Sequence, residues 1–219
     1  MNQPDSNIYL PVSLGEAIDK LTILDIKLQK IKDARKSDVQ KEYDLLYSKL
    51  EQNVTKYSDL YQTMKKVNIL IWDMMDLLRD GTLSRDEYLR VCKECIEFND
   101  IRFRVKNKIN YVSNSELREQ KSYRINRIVI DIADEINDVG DFILPIKYFS
   151  YIYDEIMIIS DNERLKLEFS FDPTIRFESL IEYDKIENKK RYSFKDEIYS
   201  QSKIYEMFEL EYSNIQAII

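Results

Sequence analysis

Histidine is absent from the 219 residues of this chain. Its absence removes the usual general base near neutral pH. It also removes the Ser-His-Asp and Cys-His nucleophile systems and every His-containing zinc site. Glycine occurs three times, as Gly15, Gly81 and Gly140. A phosphate-cradling Walker loop and a G-x-G-x-x-G turn both need closely spaced glycines, so neither is present. There is no D-x-D triplet. No apolar run approaches the roughly 18 residues of a membrane span. The opening "MNQPDSN" has neither the basic start nor the apolar stretch of a signal peptide, which reads as an intracellular, cytoplasmic protein. Any chemistry must use carboxylates, Lys, Arg, Tyr, Ser/Thr or the two cysteines.

What is present is apolar and charged in large measure, 44% and 33% of the residues. That suits a real core with long solvated helical faces. Charge is uneven. Residues 1–124 carry 22 basic and 20 acidic side chains, a net of +2, whereas residues 125–219 carry 11 and 20, a net of −9. An acidic second half argues against nucleic-acid binding, which needs a basic face. The shift also marks a boundary near residue 124.

The first helix has a clear start. Ser13 is placed to cap it, Glu16 to close a capping box, and Val12 to staple it. Leu14, Ala17, Leu21, Leu24, Leu28 and Ile31 follow at helical spacing. A second helix is expected after Ser37, with Gln40 at the capping-box position. A break near Ser58 leads into a third, which runs to Gly81. Ser84 and Glu87 form the next capping box, and a fourth helix carries the pattern to Val112. Short connections make successive helices antiparallel. Residues 125–139 fit either a helix or a strand, and 142–153 fit a helix limited by Pro145. Leu165, Leu167, Phe169 and Phe171 alternate as a strand would, as do Ile175, Phe177, Ile181 and Tyr183. "IENKKR" is expected to turn, and a last helix to begin after Ser193. The fold class is therefore α-rich in two parts: residues 1–123 form an antiparallel helical hairpin or bundle with coiled-coil character, and residues 124–219 form a small acidic mixed α+β module. Helices this long often bury a remaining apolar stripe in a homodimer.

Four stretches carry a resemblance. They are "PVSLGEAIDKLTILDIK" (11–27), "VN…WDMMDLLRD" (67–80), "FNDIRFRVKNKIN" (98–110) and "EQKSY" (119–123). In this order the chain resembles an uncharacterised bacterial family whose members open on PVSxGELIDKxTILEIK and close on EEKSY. Ala17 and Asp25 depart mildly from that pattern. The resemblance covers residues 11–123 and implies an all-helical domain of unknown function beside surface-polysaccharide and glycosyltransferase genes. It leaves residues 124–219 unexplained.

Several candidate sites follow. Glu16, Lys20, Ile23 and Lys27 share one helix face. They form either a solvated ridge with a Glu16–Lys20 pair or one wall of a polar groove. In the second reading Asp19, Asn68, Trp72, Asp73, Asn99, Asp100 and Arg102 join that groove, with Lys121 and Tyr123 from the closing motif, to hold a ligand or partner. Trp72 is either a core anchor or a stacking platform. Cys92 and Cys95 lie within a helix and read as buried apolar cysteines, since a zinc site needs about four ligands. Arg102, Arg104, Lys106 and Lys108 spread around their helix, either complementing its C-terminal dipole or, at Arg102, contacting a phosphate. Asp131, Glu135 and Asp138 share a face if helical and are candidates for Mg²⁺. The function expected is a non-enzymatic interaction protein, dimeric and accessory to glycan biosynthesis. The alternative is an enzyme or binding protein for a phosphorylated or nucleotide-linked small molecule.

Overall fold

The computed structural model describes residues 8–121, 125–134, 136, 138–178, 190–194, 206 and 218. The chain is α-rich and has two parts. Four helices come first: α1 (Leu14–Lys30), α2 (Lys36–Lys56), α3 (Ser58–Asp80) and α4 (Arg85–Val112). They are followed by β1 (Arg127–Ile132), α5 (Gly140–Ile152), β2 (Glu155–Ile159), α6 (Glu163–Glu168), β3 (Ile175–Phe177) and β4 (Lys190–Phe194).

Local chemistry sets the helix ends. The Ser13 hydroxyl accepts from the Glu16 N–H at 3.1 Å. Gly81 closes α3 in the left-handed conformation, φ 74°, which glycine adopts without a Cβ penalty. Ser84 and Glu87 complete a reciprocal capping box at the start of α4. The second helix departs from expectation. It starts at Lys36, so Ser37 lies within its first turn, and its flanking residue Arg35 makes no side-chain cap. Asp33 supplies the turn instead, accepting from the Arg35 N–H at 3.0 Å and gripping the Arg35 guanidinium.

The α3–α4 hairpin is the spine. At its open end the Tyr57 hydroxyl donates to the Val112 carbonyl at 3.3 Å. Helix α1 packs on both spine helices, and α2 packs on α1 far more than on α3.

The second part is built on a wholly parallel sheet in the order β3-β2-β1-β4. Of the two readings for residues 125–139, the strand holds over 127–132. Its even-numbered isoleucines, Ile128, Ile130 and Ile132, join one core continuous with that of the helices, while Val129 meets Met157 and Ile159 on the other face. Burial on both faces explains its consecutive apolar residues Ile128, Val129 and Ile130, which Asp131 then interrupts. The helix expected over 142–153 forms as α5, but it starts at Gly140 and carries Pro145 inside it, so the proline does not limit its start. The expected strand over 165–171 is replaced by α6. Asn162 caps it, accepting from the Arg164 and Leu165 N–H groups. Leu165 and Phe169, four apart, turn into the core, and Leu167 and Phe171 are left exposed. Period two and period four coincide over so short a run, and the cap decides between them. Ile181, Tyr183 and most of the "IENKKR" turn lie outside the described residues, as does the helix expected after Ser193. Ser193 itself is in β4.

Candidate functional site

The polar residues converge on α4, which carries two ladders of basic side chains. Arg102 and Lys106 are four apart and face α1. Arg104 and Lys108, also four apart, lie roughly 200° around the helix and face the second part of the chain.

On the α1 side, Asp19 is the centre. It is 1% exposed. Arg102 grips it with two bonds, Nε to Oδ1 at 2.8 Å and Nη2 to Oδ2 at 2.6 Å. The Asn68 amide donates to Asp19 Oδ1 and Thr22 Oγ1, both at 2.8 Å, and the Thr22 hydroxyl donates to the Asp19 carbonyl. Burial works against the Arg102 charge, but Asp19 outweighs it and holds the guanidinium pKa above its ordinary value. One turn along, Lys106 pairs with Glu16 at 3.0 Å and with Glu119. Its pKa is also raised, the two carboxylates outweighing its burial. Lys121 pairs with Asp100 at 3.0 Å and lies over the Phe103 ring.

The α1 backbone sits close against this ladder. The Gly15 N–H donates to Asn110 Oδ1 at 2.7 Å. A Cβ on Gly15 would fall on the Lys106 carbonyl and within 2.8 Å of Asn110 Oδ1. Gly15→Ala should therefore destabilise by about 1–3 kcal/mol through overpacking, although alanine ordinarily favours a helix over glycine. Urea denaturation midpoints check this, and a more stable variant would refute the close approach.

On the other side, Arg104 pairs with Asp154 at 2.8 Å and donates to the Tyr151 carbonyl. Lys108 pairs with Asp172 at 2.7 Å. Burial pushes the Lys108 pKa down despite that partner. Asp172 is held below the usual carboxylate range, because Lys108 and Thr174 overcome the effect of its own burial.

Among the sequence-predicted residues, Asp19, Asn68 and Arg102 meet in one node and Glu16 borders it through Lys106, whereas Asp100 and Lys121 pair with each other apart from it, Asp100 lying four residues before Arg104. The rest go elsewhere. Lys20 pairs with Glu42 on α2 at 2.7 Å, so the Glu16–Lys20 pair does not form. Asp73 pairs with Lys30 at 2.7 Å. Trp72 is half-buried on α3, and Asn99 is exposed. Tyr123 and Glu135 lie outside the described residues. Asp131 and Asp138 share no helix face, because 127–132 is a strand. Asp131 pairs with Arg191 across the sheet, and Asp138 accepts from the Gly140 N–H. Among the described residues, no group of three or more acidic or cysteine side chains could hold a metal ion. Cys92 and Cys95 are free and only half-buried. The basic run 102–108 serves neither a helix dipole nor an exposed phosphate site, since each member is held by a carboxylate. Thr22, Glu119, Asn110, Asp154 and Asp172 were not predicted as site residues. The sequence signal for the ladders was the i, i+4 spacing of the basic residues on α4.

A second feature lies across α1. Residues 8–12, α1 and α2 enclose an open groove of about 720 Å³. Ala17, Leu45 and Leu46 contribute to its apolar lining, and Lys20, Glu42 and Lys49 to its charged lining.

Together these features define a helical protein whose first and fourth helices are locked by a buried ion pair that an amide of the third completes, and whose fourth helix is tied to a small parallel sheet. The chain belongs to a family of unknown function (DUF6165), whose model matches residues 8–143. The match runs past the "EQKSY" stretch through β1 and into α5, farther than the sequence resemblance extended. No curated protein and no solved structure matches the chain.

Proposed function

We propose that this is a non-enzymatic interaction protein that self-associates through its helical half, with the sheet module fixed to α4. The observation that supports this most is the use of the charged residues. Asp19, Arg102, Lys106, Arg104 and Lys108 all engage partners on other parts of the same chain, while the helical half keeps an apolar-lined groove open to solvent. An accessory role in glycan biosynthesis belongs to the proposal and rests on the sequence resemblance alone. Sedimentation velocity at micromolar concentration should show a dimer, and a strict monomer would count against the reading.

One observation favours a second reading. In the sheet order β3-β2-β1-β4 the connections reverse direction between β1 and β4. In open parallel sheets, ligands bind beyond the strand C-termini at such a reversal. A phosphorylated ligand there would meet Asp134, which accepts from the Asp161 N–H at 2.6 Å, without a glycine-rich loop, and would have to bring its own Mg²⁺ to screen its charge. A thermal-shift panel of nucleotide sugars with and without Mg²⁺ separates the two readings. A ligand that binds the native state must stabilise it. We expect no shift; a saturable, Mg²⁺-dependent rise in Tm would establish the second reading over the first.

A further inference from the structure

We infer that the groove between residues 8–12, α1 and α2 is the surface on which a second copy of this chain docks. The inference rests on the self-association proposed above and names its surface. Four large apolar side chains in the segment before α1 point to solvent: Ile8 is 84% exposed, Tyr9 70%, Leu10 74% and Val12 59%. Leu45, on the facing side of α2, is 58% exposed. All five line the same groove, and a contiguous exposed apolar patch rimmed by charged residues marks an interaction surface.

Charge favours a copy of the same chain over a partner of one sign. A twofold interface sets a patch against itself, so a patch of a single charge would repel its copy. The groove carries three lysines, Lys20, Lys41 and Lys49, and three acids, Glu16, Asp38 and Glu42. Four of these form two pairs with one another, Lys20–Glu42 at 2.7 Å and Lys41–Asp38 at 3.2 Å, while Glu16 pairs with Lys106 and Lys49 lies over the Tyr9 ring. Residues 1–124 are also close to neutral, whereas residues 125–219 carry a net of −9. Docking through the helical half brings the near-neutral halves together, where contact through the acidic halves would be opposed by repulsion.

The outer face of α4 is the competing surface, with Leu89 57% and Ile96 66% exposed. The experiment therefore compares three full-length proteins by sedimentation velocity over a concentration series: wild type, Y9S/L10S/L45E and L89E/I96E. All five positions are exposed, and circular dichroism confirms that each variant is folded. Hydrogen exchange of the amides of residues 8, 9, 10 and 12, which lie outside any helix, provides a second readout on the wild type. The expected result is a wild-type dimer, an unchanged L89E/I96E dimer, and a dissociation constant raised at least about 100-fold in Y9S/L10S/L45E, as loss of central anchors gives. Those four amides should gain protection as concentration rises. If L89E/I96E alone dissociates, or if Y9S/L10S/L45E stays as dimeric as wild type, the groove is not the interface, although self-association stands. If the wild type is monomeric at every concentration, both inferences fall.

Discussion

Asp172→Asn should destabilise the protein by about 3–5 kcal/mol, the range for breaking a buried ion pair from one side. Lys108 is 7% exposed and Asp172 Oδ2 lies 2.7 Å from its ammonium. The only other described contact of that ammonium is the Tyr151 ring, 5.5 Å to its centroid. An amide at 172 keeps the shape and the chance of bonding Thr174, but leaves a buried cation without a counter-charge. In a chain of this length the loss corresponds to a Tm lower by roughly 10 °C. Adding Lys108→Met should restore most of the stability, because a buried pair replaced by apolar groups is often neutral. A D172N protein within 1 kcal/mol of wild type would show that Lys108 finds water or another acceptor.

The same pair makes a pH prediction. The Asp172 pKa is lower in the folded state than its ordinary value. Its contribution is then fully present above about pH 4, the unfolded carboxylate value. It is lost as pH falls through the folded value. The stability gap between wild type and D172N should therefore be widest near neutrality and close in acid. Urea unfolding of both proteins from pH 7 down to pH 3 measures it. A gap that widened in acid would contradict the assignment of the charge to Asp172.

The parts of this structure legible in the sequence were those governed by local chemistry. Ser13, Ser84 with Glu87, and Gly81 announced helix ends because capping bonds span only a few residues. The leucine seam of α1 announced its buried side in the same way. Membership of a motif did not translate into membership of a site. Asn68 and Asp73 lie in one matched stretch, yet five residues at 100° per residue place them about 140° apart on α3. Asn68 therefore reaches Asp19, while Asp73 reaches Lys30 near the surface. Lys20 follows Asp19 directly and so turns away, toward α2. The partners of the α4 bases were beyond sequence reasoning for a different reason. Arg104–Asp154 and Lys108–Asp172 join residues 50 and 64 positions apart, and nothing local marks which of 40 carboxylates each base will meet. The alternating run 165–171 misled because its apolar residues satisfy both a strand and one face of a short helix. Asn162, just upstream, was the residue that distinguished them.

Asp19 is the other position where one substitution should have a large effect, and it tests why an acid sits in the buried face of α1. Asp19→Asn removes the charge that Arg102 grips with two bonds, while Asn68 and Thr22 retain a polar neighbour. Arg102 keeps 26% of its side chain exposed, so its head can turn partly to water. The expected loss is therefore smaller than at Asp172, roughly 2–3 kcal/mol. A double-mutant cycle with Arg102→Ala should give a coupling of about 1–3 kcal/mol between the two residues. If the effects of the single variants simply add, the node is a set of independent contacts and not one network. Asp19 faces α3 and α4, whereas Glu16, Ala17 and Lys20 of the same helix line the groove. The two faces make a sharper distinction possible. If self-association uses the groove, Asp19→Asn should lower Tm well below that of wild type. At temperatures where it stays folded, its dimer dissociation constant should change by less than about tenfold, because α1 keeps its leucine contacts to the spine. A dimer lost together with the Asp19 charge would mean that the ion pair, and not the leucine seam, sets the position of α1 on the spine and with it the shape of the groove.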